Sequence, residues 1–201
     1  MHKNLILFLL IFLFPNLFAQ EKGWPPARKT KWVISKSSSL RVTGSTNMNA
    51  FACEISGCNQ TDTLTLGQTD AAIGLSGTMD LDIQNFDCHN GMMTKDLRKT
   101  LKAAEFPILQ ISFLSLSEMP DLSATPVTVT GMVEVALAGS RKRYPVNYRV
   151  SKDAREVIHL EGIRFVKFSD FNLVPPSRLA GMVQTKDKLT IAFHLKMKGV
   201  N

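Results

Sequence analysis

The chain is 201 residues long, 44% apolar, and carries 24 Lys and Arg against 17 Asp and Glu, for a formal net charge of +7. That length suits one domain able to bury a core of its own. The basic residues are scattered, with small clusters only in "ARKTK" (27–31) and "SRKRY" (140–144), and no run of interleaved aromatics and arginines accompanies them. Nucleic acid is therefore not an expected partner.

In chain order, Lys3 is followed by the apolar run "NLILFLLIFLF", then Pro15 and "NLFA". A short charged start, a central apolar run and a small residue at Ala19 have the form of a secretory signal peptide over residues 1–19. The run is shorter than the roughly 20 residues that a membrane anchor needs. The first cysteine, Cys53, is too far along to carry a lipid at the cleavage site. Residues 20–30, with Trp24-Pro25-Pro26, read as a tail, and 31–201 as the domain. The expectation is an exported protein, periplasmic or secreted, without lipid anchor or transmembrane helix. Loss of Lys3 lowers the charge by one and leaves the chain basic, which allows transient contact with an anionic membrane surface. Its oligomeric state is not legible.

From Lys31 onward the dominant period is two, that of strands with one wet and one buried face. It runs through "KWVISKSSSLRVTGST" (31–46), "MNAFACEI" (48–55), "TDTLTLG" (61–67) and "AAIGLSGTMDLDIQNF" (71–86). It resumes in "FPILQISFLSLSEM" (106–119), "TPVTVTGMVEVALAG" (125–139), "RYPVNYRVS" (143–151), "EVIHLEGIRFV" (156–166) and "DKLTIAFHLKMK" (187–198). Between strands, "NGMMTKDLRKTLKAAEFP" (90–107) places Met93, Leu97 and Leu101 four apart, which predicts a short amphipathic helix over 92–104 that stops before Pro107. "KFSDFNLVPPSRLAG" (167–181) reads as a loop or a turn of helix. Many successive strands joined by turns imply an antiparallel barrel or sandwich.

Few residues suggest chemistry. Three cysteines, Cys53, Cys58 and Cys88, in an oxidising compartment imply one disulfide and one spare thiol. Three pairings are open; Cys53 with Cys88 is preferred because both lie in strand-like segments that could be neighbours. The spacing of these cysteines and His89 matches no usual zinc pattern, so no metal is expected. A nucleophilic enzyme needs an activated Ser or Cys with a base in reach. Cys88 and His89 would point to opposite faces of a strand, and His159 and His194 occupy ordinary sheet-surface positions. There is no Gly-x-Ser-x-Gly or His-Glu-x-x-His. Asp80 and Asp82 share a strand face but supply too few oxygens for calcium. "NQT" (59–61) is a formal glycosylation sequon.

The order of several fragments says more. "VTGSTNMNAF" (42–51), "MTKDLRKTLKAAEFPILQISF" (93–113), "GMVEVALAGSRKRYPVNYRV" (131–150), "FSDFNLVPP" (168–176) and "LTIAFHLKM" (189–197) resemble the successive signatures of the YceI-like family across nearly the whole domain. The resemblance implies an all-β fold, an extended antiparallel lipocalin-like barrel of about eight strands with the short helix near one end. It also implies a non-catalytic role: holding an isoprenoid lipid or quinone-like amphiphile in the lumen for storage or transport, with no cofactor. Carried over by position, the lumen is lined by Phe51, Leu81, Ile83, Ile111, Phe113, Val129, Val133, Val135, Leu137, Ile191, Phe193 and Leu195. The competing expectations are a lipid-modifying enzyme using Cys88, His89 and His159, and a barrel filled by its own side chains. The segment "FDCHNGMM" (86–93) and the cysteines depart from the family pattern.

Overall fold

The computed structural model describes residues 29–56, 62–68, 73–123 and 126–200. The expected signal peptide, Cys58 and the sequon at 59–61 lie outside the described residues. In chain order the strands are β1 (Lys29–Ile34), β2 (Ser39–Ser45), β3 (Ala50–Ser56), β4 (Thr63–Gln68), β5 (Ile73–Asp82), β6 (Ile108–Leu116), β7 (Val127–Leu137), β8 (Ser140–Lys152) and β9 (Ile158–Lys167). The two-residue strands β10 (Ser177–Arg178) and β11 (Val183–Gln184) form a small ribbon, and β12 (Lys188–Val200) ends the described chain. Every pairing is antiparallel, and the ring β1-β4-β5-β6-β7-β8-β9-β12 closes through β1 with β12, giving an eight-stranded barrel. No helix among the described residues is long and apolar enough to cross a membrane.

Closure rests on β12. One edge pairs with β9 from Lys188 to Met197, while the other pairs first with β2 (Thr190 to His194) and then with β1 (Met197 to Val200). The run read from sequence as one strand over 31–46 is therefore two, broken where β12 changes partner. Ser38 fills that break. Wholly buried, its hydroxyl accepts the Lys196 backbone N–H at 3.0 Å, and the Ser35 N–H donates to the Lys196 carbonyl at 2.7 Å. The exchange of partners thus leaves no backbone group of Lys196 unpaired.

Above β1 and β4 the wall is continued by the β2–β3 hairpin. β5 pairs with β4 only along its first part, Ile73 to Ser76. Beyond it the outer edge of β3 is covered by the segment after β5, through reciprocal Glu54–Asp87 backbone bonds of 2.8 and 2.9 Å and a Cys53–Cys88 disulfide. A second seam stays unlaced. β8 and β9 pair only from Tyr148 to Lys152 against Ile158 to Gly162. Past Gly162 the Arg164 guanidinium of β9 lies 5.4 Å from the Tyr144 ring centroid of β8, and the Tyr144 hydroxyl donates at 2.9 Å to Asp170 in the 3-10 turn that follows β9.

Helix α1 (Gly91–Thr100) caps one end. Asn90 accepts the Met93 N–H at its start, as N-cap residues do. It ends four residues sooner than the sequence suggests, because Lys102 takes a positive φ of 55° and residues 101–105 form turns. Arg98 and Lys99 lie in the last turn, where the helix dipole favours positive charge.

Two glycines on the inner face make room for aromatics. A Cβ on Gly162 would lie 2.2 Å from Phe193 Cζ, and one on Gly131 2.6 Å from Tyr148 Cε2. Gly162→Ala is expected to cost about 1–3 kcal/mol through overpacking, read as a lower urea midpoint. Adding Phe193→Leu should recover much of that loss, whereas an equal loss in the double variant would show that the Phe193 clash is not the cause.

Candidate ligand chamber

Along its axis the barrel interior divides in two. In the lower part Trp32, Ile34, Leu64, Leu66, Leu75, Leu160, Leu195 and Met197 interdigitate with almost no exposed surface. Tyr148 and Phe193 form a floor above them, edge to face with centroids 5.8 Å apart. Above the floor the inward-facing Ile111, Val135, Leu137, Val166 and Ile191 pack against the core but are only partly buried, and they border unfilled space. A cavity of about 90 Å³ lies beneath α1, bounded by Leu97, Leu101, Leu109, Phe171, Leu189 and Ile191. A deeper one of about 50 Å³ shares Leu40, Ile111, Val135, Val166 and Ile191 with it and reaches Phe113, Tyr144, Arg164 and Phe193.

Leu97 and Phe168 are walls shared by the upper cavity and a surface cleft of about 270 Å³ between α1, β3 and the β10–β11 ribbon. The rim of this mouth is polar, with Thr46, Asn49, Asn90, Asp96, Arg178 and Thr185. Arg178 ties the ribbon to the helix by an ion pair with Asp96 at 2.5 Å and a bond to the Met92 carbonyl at 3.2 Å.

This fold recurs in solved structures. The chain is similar to Burkholderia cenocepacia BcnA, with a TM-score of 0.61 at 14% identity, over 79% of this chain and 95% of that one. It is similar to a polyisoprenoid binding domain from Saccharophagus degradans, with a TM-score of 0.58 at 13% identity, over 84% and 98%. A Campylobacter jejuni YceI protein matches with a TM-score of 0.51 at 12% identity, over 69% and 80%. The chain has the YceI fold. No family model matches its sequence, and no curated protein does; at these identities what is shared is the fold alone.

Within this YceI barrel, Ile111, Phe113, Val133, Val135, Ile191 and Phe193 line the deeper cavity, and Leu137 joins Ile111, Val135 and Ile191 on the upper one. Phe51 lines the mouth cleft instead. Leu81, Ile83, Val129 and Leu195 are buried but line neither cavity. Ile83 has left its strand for a 3-10 turn capped by Asp82, and Leu195 lies below the floor. Alternation assigns a face, not a height along the axis. The same limit hid Leu40 and Val166, and also Arg164, whose even parity with Leu160 and Val166 in "HLEGIRFV" was the available signal.

The residues of the enzyme expectation are dispersed. The Cys88 sulfur is held in the disulfide, and His89 bonds Glu54 at 3.1 Å on the surface. On the outer sheet face His159 Nδ1 meets His194 Nε2 at 2.8 Å, while His159 Nε2 faces Asp153 at 3.3 Å. Ser35 and Ser37 share a surface cleft with His159 but bond each other. With both its ring nitrogens engaged, His159 has none free to take a serine proton. Asp80 bonds Gln110. Among the described residues no group of three or more His, Cys, Asp or Glu is arranged to hold a metal.

Burial pushes the His194 pKa below its ordinary 6.5; Glu161 opposes this, and His159 and Lys196 reinforce it. The folded state then favours neutral His194. Its contribution to stability is present above about pH 6.5 and is lost as pH falls through the lowered folded value. Urea unfolding at pH 7.5 and pH 5 should show a smaller drop for His194→Gln than for the natural chain; an identical drop would refute this.

Proposed function

We propose that the chain is an exported binding protein, not a catalyst, that holds an isoprenoid lipid or similar long amphiphile in the upper half of the barrel for storage or transport. The observation that carries this reading is the unfilled apolar inner face above the Tyr148–Phe193 floor, with Leu97 and Phe168 standing between it and a mouth cleft. The likeness in fold to a polyisoprenoid binding domain supports the same chemistry. Burial of each methylene contributes on the order of 0.8 kcal/mol, so a few buried units bind without any hydrogen bond.

The two inner cavities, about 90 and 50 Å³, are well below the roughly 300–1,000 Å³ of common ligand sites. A chain must therefore enter from the larger mouth cleft and push lining side chains apart. Met92 and Met93, unbranched and adaptable, stand where it would pass. The small voids also favour the second reading, a barrel filled by its own side chains.

Native mass spectrometry of the exported protein, followed by extraction and lipid identification, tests the first reading. One co-purifying chain per protein is expected. A protein empty as isolated, and still empty after incubation with isoprenoid quinones and polyprenyl lipids, would overturn it.

Val135→Trp separates the two readings. A chamber loses its ligand with little change in stability, whereas a filled core is destabilised by about 1–3 kcal/mol, measured by urea unfolding beside a binding titration.

A further inference from the structure

Four large apolar side chains that the fold leaves exposed gather at the mouth. Met48, Met92, Leu179 and Met182 are between 62% and 72% exposed, so core packing accounts for none of them. Met92 lines the cleft itself, and Met48 lies between its lining residues Thr46 and Asn49. Leu179 follows Arg178 and Met182 precedes Val183, both of which also line it. Leu179 holds a left-handed φ of 51°, a conformation that suits Gly or Asn better than a branched apolar residue. Exposed apolar groups rimmed by polar ones mark an interaction site.

Hydrogen bonds tie these segments into one surface. Asn47, beside Met48, donates from Nδ2 to the Met182 carbonyl at 2.9 Å and accepts the Gln184 N–H at 3.0 Å. Arg178, beside Leu179, donates to the Met92 carbonyl at 3.2 Å. The β2–β3 turn is closed by Thr46 Oγ1, which accepts the N–H groups of Met48 and Asn49 at 3.0 and 2.8 Å. Charge is the second observation. Along α1, Met92, Lys95 and Lys99 follow at spacings of three and four and share one helix face, with both lysines exposed. Among the described residues no salt bridge engages either lysine. The carboxylate that lines the cleft, Asp96, is paired with Arg178.

We infer that this end of the barrel docks on an anionic membrane surface, with Met48, Leu179 and Met182 dipping among the acyl chains and Lys95 and Lys99 meeting the headgroups. Apolar side chains beside exposed basic ones are the combination that binds such an interface. A protein seated on the same tips would close the cleft. A bilayer instead opens it onto hydrocarbon, so that a lipid chain passes between membrane and barrel without crossing water. Such docking rests on the chamber reading for its purpose, and it makes a bilayer the place where the chain is taken up or released.

The test floats the purified protein with vesicles of phosphatidylglycerol and phosphatidylcholine in equal parts, and with phosphatidylcholine alone, each carrying a trace of a polyprenyl lipid. Binding to the anionic vesicles is expected to be roughly tenfold tighter. Met182→Asp, and separately Lys95→Glu with Lys99→Glu, should each weaken that binding by a similar factor. Lys198→Glu, at the opposite end of the barrel beside Val33, should leave it unchanged. Lipids brominated on the acyl chain should quench a Leu179→Trp fluorophore beyond the quenching of the natural tryptophans. Equal binding by the natural chain and Met182→Asp, an equal loss in Lys198→Glu, or binding to neither vesicle would overturn the docking. A dimer in solution that Met182→Asp splits, with no vesicle binding, would overturn it in favour of a second copy of the chain. Uptake of the polyprenyl lipid is read separately. Vesicle binding without uptake would remove the chamber reading and leave the docking standing, and uptake without vesicle binding would do the reverse.

Discussion

A closed barrel must pair every strand edge, and here that requirement falls on β12. Thirteen residues long, it faces β9 along one edge and changes partner from β2 to β1 along the other. Unpaired edges expose rows of backbone donors and acceptors, which are costly in a core and prone to pair with other chains. Ser38, bonded to the Lys196 N–H at the change of partner, is the local device that makes the exchange tolerable. The β2–β3 hairpin can then rise past β1 and β4 and enclose a second storey, sealed at β3 by the Glu54–Asp87 bonds and the Cys53–Cys88 disulfide.

The same strand passes through both storeys, so its side chains record what each contains. Met197 and Leu195 are buried in the packed lower half, Phe193 forms the floor, and Ile191 and Leu189 border the space above. The floor depends on subtraction. Gly162 and Gly131 carry no Cβ where Phe193 and Tyr148 need the volume. Lower-half packing gives the barrel its core, which allows the upper half to remain unfilled. A single interior serves as core at one end and as candidate chamber at the other.

Much of this was legible in the sequence. Alternation located nine runs that cover the ten long strands, because each strand has one face inward and one outward, and fourfold spacing found α1. Terminal residues were less clear: the helix ends at Thr100 because Lys102 adopts a left-handed backbone, which no apolar period encodes. Nor does alternation encode height. Val135 and Leu195 obey the same pattern, yet one borders a cavity and the other lies in packed core. The break between β1 and β2 escaped notice because it answers to β12, some 150 residues away. Arg164 sits in plain view on an apolar face, but only the folded barrel shows that its Nε finds no partner.

The most direct test of the account is a crystal structure with a terminally brominated twelve-carbon chain, locating bromine and carbon by anomalous and ordinary difference density. The account predicts a chain inside the barrel above Phe193, between Ile111, Val135 and Ile191, with one end at the cleft beside α1. A chain found only on the outer surface, for instance against the exposed Ile163 and Phe165 of β9, with the interior side chains unmoved, would contradict it.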